Sequence, residues 1–356
     1  MPGLYVGSTG AYAGKNVILV GLALSLRRAG HTVAYFKPVG AQIGERAGNP
    51  GDEDAFVIRE ALGLTADPER VTPVLITQDF IRRSFAAEPL TDRLPEILAA
   101  YRRVSQGADV TLVGGWGSFL HSGKYCGLDG GSVVRSLALK TLIVDRFAGE
   151  PGYDSLLGVR EALGENLLGC VLNDIPSYLF DEMRRVFVPF LAARGVATLG
   201  IVPRDNRLAA ISAGELAEGL GAALLNAPKP ESHLVESFLI GTMQVENFLT
   251  HFRKQPQAAV IVGGDRTDLQ LVAIKGDCAC LILTGNLYPS DYVLARAEDA
   301  GTPILVVRDD TYATAKRMEY LIARHKLRDP AAFRQAAAMV AEHVDAGAIE
   351  RGLGLK

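Results

Sequence analysis

The sequence is poor in the residues that anchor several large functional classes. It has four cysteines in 356 residues, and no Cys-x-x-Cys pair among them. Cys126 and Cys170 stand alone, while Cys278 and Cys280 lie two apart in an apolar run, a spacing that suits core thiols and, if the run is a strand, leaves a one-sided metal pair conceivable. A disulfide framework is excluded. No apolar stretch is long enough to cross a bilayer and no secretory leader is visible, so the expectation is a cytoplasmic protein with reduced thiols. Lysine and arginine total 37 against 40 acidic residues, a net charge of −3 with pI near 6.1, which gives no electrostatic drive toward nucleic acid or an anionic membrane. There is no His-Glu-x-x-His helix, no Ser-His-Asp arrangement and no strict Gly-x-Gly-x-x-Gly fingerprint. Zinc peptidase, nucleophilic hydrolase and dinucleotide-dependent dehydrogenase chemistry thereby lose their support.

What is present is a chain that is 48% apolar and longer than one core usually supports, so two domains are expected. Apolar strands alternate with helical patterns from Leu4 onward, through Thr32–Phe36, Asp109–Val113, Thr141–Val144, Leu167–Leu172 and Thr198–Val202. That rhythm predicts a parallel sheet, and strands that read as continuous apolar runs predict helices on both of its faces. The fold class expected is α/β, a doubly wound, mostly parallel sheet over residues 1–226, followed by a smaller α/β domain over 227–330 and a C-terminal helix and tail over 331–356. Asn226–Ser232, with two prolines, reads as the linker, Leu179–Arg194 as one helix, and Gly347–Lys356 as a mobile tail. Asp329-Pro330 suits an N-cap and first helical position for the last helix.

The segment Thr9-Gly10-Ala11-Tyr12-Ala13-Gly14-Lys15-Asn16 sits between the first strand and the first helix, where a phosphate-binding loop belongs. Its backbone N–H groups would wrap a polyphosphate, the helix N-terminus adds partial positive charge, and Lys15 reaches the outer phosphates. Two positions depart from the G-x-x-x-x-G-K-[ST] pattern. Thr9 replaces the first glycine, and Asn16 stands where a hydroxyl usually meets Mg²⁺.

Lys37, in Lys37-Pro38-Val39, lies at the carboxyl end of the second strand, where open α/β sheets collect ligands. Asp52-Glu53-Asp54 begins the next helix and serves either as caps or, through Asp54, as a magnesium ligand. The strand ending at Gly114 offers no carboxylate, and Trp116, His121, Lys124 and Asp129 follow in its loop as polar or stacking candidates. Asn173 ends another strand, where its carboxamide can read an adenine edge or cap a loop. Pro203-Arg204-Asp205 ends the next strand. Gly264-Asp265-Arg266-Thr267-Asp268 is a glycine-aided turn with an Asp-Arg pair, suited to an anion, to an interface or to no ligand at all.

Taken together, Thr9–Lys15, Lys37-Pro38-Val39, Asp54, the strand ending at Gly114, and Asn173 resemble the dethiobiotin synthetase-like branch of P-loop proteins, with its cobyrinic acid a,c-diamide synthase relatives. Gly200-Ile201-Val202-Pro203-Arg204-Asp205, Ala213-Gly214-Glu215-Leu216-Ala217 and Gly264-Asp265-Arg266-Thr267 are similar to the amino-terminal regulatory half of long bacterial phosphotransacetylases, where a DRTGG domain follows the P-loop domain. The resemblance implies ATP as cofactor, with Mg²⁺ at Asp54 and Asn16. It implies Lys15 and Lys37 as the catalytic or charge-bearing lysines, and Thr9 to Asn16 with Asn173 and Pro203 as the nucleotide contacts. The family's strand-end acid is Gly114 here, and DRTGG becomes Asp265-Arg266-Thr267-Asp268-Leu269. A homodimer and a protein partner for the DRTGG-like domain are further implications. With no room for an acetyl-transfer domain, the function implied is a nucleotide-binding regulator or sensor; the alternative is a Mg-ATP-dependent synthetase or ligase that activates a carboxylate or carbamate.

Overall fold

The computed structural model describes residues 2–46, 48–64, 71–86, 91–148, 152–205, 210–226, 232–255, 257–324 and 330–355. They form two compact units, Met1–Arg204 with Arg328–Lys356, and Asp205–Leu327.

The first unit is built on a six-stranded sheet. Its strands are β1 (Gly3–Ser8), β2 (Val33–Phe36), β3 (Val110–Gly114), β4 (Lys140–Arg146), β5 (Leu167–Ile175) and β6 (Thr198–Pro203). Their order is β6-β5-β4-β1-β3-β2, and every pairing is parallel. β1 and β3 are buried along their whole length, as expected for strands covered on both faces. Helix α1 (Lys15–Arg28) follows β1 and buries Ile18, Leu19, Leu22, Ala23 and Leu26, and Arg27 and Arg28 in its last turn complement the helix dipole.

The order of strands decides where a ligand can go. From β1 the chain runs to β2 at the sheet edge, comes back to β3 beside β1, and then crosses to β4 on the other side of β1, so a crevice opens at the carboxyl end of β1. The phosphate-loop segment, Lys37, Gly114, Asn173 and Pro203 are all at the carboxyl ends of these strands.

The second unit carries a five-stranded sheet of β7 (Ala223–Leu224), β8 (Ser237–Ile240), β9 (Ala258–Gly263), β10 (Cys280–Thr284) and β11 (Ile304–Val306), ordered β7-β11-β10-β9-β8. Only β7 runs antiparallel to its neighbour. Helix α3 (Thr267–Lys275) follows β9, taking its number after α2 (Glu53–Ala61) of the first unit. Cys278 and Cys280 are buried, and burial pushes the Cys278 thiol up to about 12, so they are core thiols.

The compact units divide the chain differently from the boundaries at 226 and 330. Residues 223–224 pair with β11 inside the second sheet, so that unit begins before the two-proline segment, whose residues 227–231 lie outside the described residues. Helix α4 (Pro330–His343) returns to the first unit and packs on α1; Val340 occupies the space a side chain at Gly21 would need. Asp329, read as its cap, lies outside the described residues. The end of the chain is not a loose tail. Helix α5 (Ala346–Leu353) is capped by Asp345, which accepts from the Ala348 amide at 2.8 Å, and Ile349 is fully buried.

Candidate functional site

The loop after β1 turns twice through left-handed backbone. Tyr12 has φ 57° and Gly14, the N-cap of α1, has φ 90°. For a tyrosine this region is a rare and costly conformation, and such residues persist where the surroundings hold them. The holding groups are identifiable. Arg146 Nη1 donates to the Tyr12 carbonyl at 3.3 Å, and Asn173 Nδ2 donates to the Ala13 carbonyl at 2.9 Å. Asn173 thus braces the loop in this conformation, the capping alternative of its two readings.

Lys15 points inward across the loop. Its Nζ donates to Ser8 Oγ at 2.8 Å and to the Gly117 carbonyl at 3.1 Å. The Ser8 hydroxyl also lies against the Gly10 carbonyl, and Ser118 Oγ donates to the Thr9 carbonyl at 2.6 Å. Both acceptors are neutral oxygens, which an anionic phosphate oxygen can outcompete for an ammonium. Ala11 is exposed and Asn16 half-buried in the first turn of α1.

Thr9 Oγ1 donates to Asp145 Oδ1 at 2.6 Å. Sequence reasoning missed Asp145, whose only signal is a carboxylate closing the apolar run Leu142-Ile143-Val144. Burial pushes its carboxyl above the usual range, and the Thr9 hydroxyl partly offsets this. A carboxyl raised on folding takes up its proton more readily in the folded state. Its stabilising contribution is therefore complete below the unfolded value of about 3.9 and disappears as pH rises through the folded value. Asp145→Asn, which keeps an acceptor for Thr9, is expected to be more stable than wild type at neutral pH, by a margin that shrinks toward pH 4. Urea midpoints measured across that range check this; a margin independent of pH would refute it.

Lys37 is 2% exposed. Its Nζ donates to the Gly115 carbonyl at 3.2 Å and lies 3.9 Å from Asp52 and 3.6 Å from Asp54. Asp52 is wholly buried and is the cap of α2, accepting from the amides of Ala55 and Gln42 at 3.1 Å each. Magnesium, implied by the resemblance, fits these residues poorly. Asn16 offers a neutral amide, Gly114 has no side chain, and Asp54 faces the Lys37 ammonium. Among the described residues no three His, Cys, Asp or Glu side chains gather as metal ligands.

Asp174 follows Asn173 in left-handed backbone, φ 62°, and holds two guanidiniums, Arg146 Nε at 2.9 Å and Arg204 Nε at 2.9 Å. Pro203 precedes Arg204 at the end of β6. The loop after β3 is organised internally: Trp116 Nε1 donates to the Leu128 carbonyl at 3.0 Å, Asp129 caps Gly130–Leu137, Lys124 lies 4.0 Å from Asp129, and His121 lies 3.2 Å from Ser118 Oγ. In the second unit Arg266 forms a forked pair with Asp268, at 3.0 and 2.9 Å, that satisfies the turn from within.

A parallel sheet whose first strand feeds a lysine-bearing phosphate loop, with the crevice between its two neighbouring strands, defines a P-loop α/β protein. The chain belongs to the AAA domain family, whose model matches residues 2–212, and carries a DRTGG domain at residues 215–321. Among curated proteins it is similar to the phosphate acetyltransferases of Pseudomonas putida, at 27% identity over 99% of this chain and 52% of that protein, and of Deinococcus radiodurans, at 25% over 97% and 50%. The chain spans about half the length of these relatives. Among solved structures it is similar to the MinD cell division protein of Aquifex aeolicus, with TM-score 0.35 and 14% identity over 58% of this chain and 84% of that one. No helix among the described residues is long and apolar enough to cross a membrane.

Proposed function

We propose that the chain is a nucleotide-binding regulatory protein, with ATP on the loop Thr9–Asn16 and a DRTGG domain that transmits occupancy to a partner or second ligand. The observation that carries this reading is Lys15, drawn across the loop onto Ser8 Oγ at 2.8 Å and the Gly117 carbonyl at 3.1 Å, where its Nζ lies at the mouth of the phosphate loop. On binding, the ammonium gives up its contacts to Ser8 Oγ and the Gly117 carbonyl for phosphate oxygens, the Gly10–Asn16 amides surround the phosphates, Asn173 holds the loop that carries them, and Pro203 lies toward the base. Lys37 adds charge from the end of β2. Similarity to half of phosphate acetyltransferases favours a regulatory module over a free-standing synthetase, which would need a metal carboxylate where Gly114 stands.

The test is calorimetric titration of ATP, ADP and GTP into the full chain and into Lys15→Ala. Two lost charge-assisted hydrogen bonds at about 1.5–3 kcal/mol each predict a weakening of roughly 100-fold or more. Wild-type binding without steady phosphate release supports the sensor. No heat with any nucleotide, or equal affinity in Lys15→Ala, contradicts it.

A further inference from the structure

Tyr35, on β2, is 1% exposed, and its hydroxyl has no hydrogen-bond partner among the described residues. A phenol hidden from water without a partner is costly, and a native site that retains one needs a reason. Its surroundings supply the reason. Strand alternation puts Tyr35 on the same side of β2 as Lys37. A Cβ added at Gly114 would lie 3.1 Å from Tyr35 Oη and 3.4 Å from Lys37 Cδ, so the phenol lies over the bare end of β3. That is the place where a strand-end carboxylate would otherwise receive a metal. The two arrangements compete for one space, because even the first carbon of a side chain at Gly114 would press on the phenol and make it give by a few tenths of an ångström.

The hydroxyl has one role open to it. Burial, then the nearby carboxylates of Asp52 and Asp54, raise its pKa well above the ordinary tyrosine value, so it stays protonated and can donate. The fully buried carboxylate of the two, Asp52, already accepts two backbone amides.

We propose that Tyr35 is a phosphate-binding residue: its hydroxyl donates to a phosphate oxygen of the bound nucleotide beside Lys37, in place of the divalent cation that a carboxylate at Gly114 would hold. This rests on the nucleotide-binding reading above and adds to it that binding is independent of metal. A neutral donor and an ammonium meet the phosphate charge directly, without a cation as intermediary.

The experiment is calorimetric titration of ATP into the full chain, in EDTA and in magnesium, with wild type, Tyr35→Phe and Lys15→Ala. Wild type is expected to bind no more weakly in EDTA than in magnesium. Tyr35→Phe is expected to bind about tenfold or more weakly in EDTA, the loss of one hydrogen bond to a charged group. The thermal midpoint of Tyr35→Phe without nucleotide should equal or exceed that of wild type, since the variant removes an unsatisfied buried hydroxyl; this separates lost binding from lost folding. If Tyr35→Phe binds as wild type while Lys15→Ala does not bind, the proposal is overturned and the nucleotide-binding reading stands. Wild-type binding that requires magnesium also overturns it. If wild type binds no ATP in either buffer, both fail together.

Discussion

Replacing Lys37 by methionine is expected to destabilise the first unit by about 3–5 kcal/mol, because it leaves the fully buried Asp52 carboxylate without its ammonium. The side chains are similar in volume, so the loss is electrostatic rather than a cavity. Two backbone amides still donate to Asp52, which places the expectation at the lower end of that range. Urea unfolding followed through Trp116, the sole tryptophan, reports on the unit that holds the pair. Adding Asp52→Asn to Lys37→Met should recover much of the loss, since a neutral amide oxygen can still cap α2 and only the partly exposed Asp54 carboxylate then lacks the ammonium. A loss below about 1 kcal/mol for the single variant would mean that the pair is solvated and contributes as little as a surface ion pair.

Gly14→Ala is the second large effect. At φ 90° an alanine costs about 1–2 kcal/mol from backbone sterics alone. Its Cβ would also press into Asn173 Nδ2, breaking the bond to the Ala13 carbonyl, worth about 1 kcal/mol more. The expected sum is about 2–3 kcal/mol, together with loss of ATP binding, because the loop amides no longer converge. Asn173→Ala alone should lose only the second contribution. Thermal unfolding and ATP titration of both variants check this; a Gly14→Ala protein that binds ATP as wild type would show that the loop tolerates another conformation.

The sheet was legible in the sequence because its strands are covered on both faces and so read as apolar runs. Other elements hid behind local chemistry. Gly130–Leu137 and Thr267–Lys275 start at glycine-rich turns that read as loops. The helix expected over Leu179–Arg194 is interrupted by a π-helical turn at Met183–Phe187. Pro189 explains it: without an N–H, and with a ring that crowds the carbonyl of Arg185, it cannot continue a regular α-helix. Gly347, Gly352 and Gly354 disguised the C-terminal helix, whose signal is the Asp345 cap and a buried Ile349.

The candidate site was legible where spacing carries chemistry, at Gly14-Lys15 and Lys37. Tyr35 and Asp145 are single strand residues with no spacing signal. Asp145 meets Thr9 only because β4 is the neighbour of β1, and Tyr35 matters only because β3 beside it ends in glycine. Strand order, a long-range property, creates both contacts.

The most direct measurement is a structure of the chain grown with ATP in EDTA. The account predicts phosphates against the Gly10–Asn16 amides, with Lys15 Nζ withdrawn from the Gly117 carbonyl onto phosphate oxygen. ATP bound elsewhere, or an empty loop with Lys15 still on Gly117 at saturating nucleotide, would contradict it.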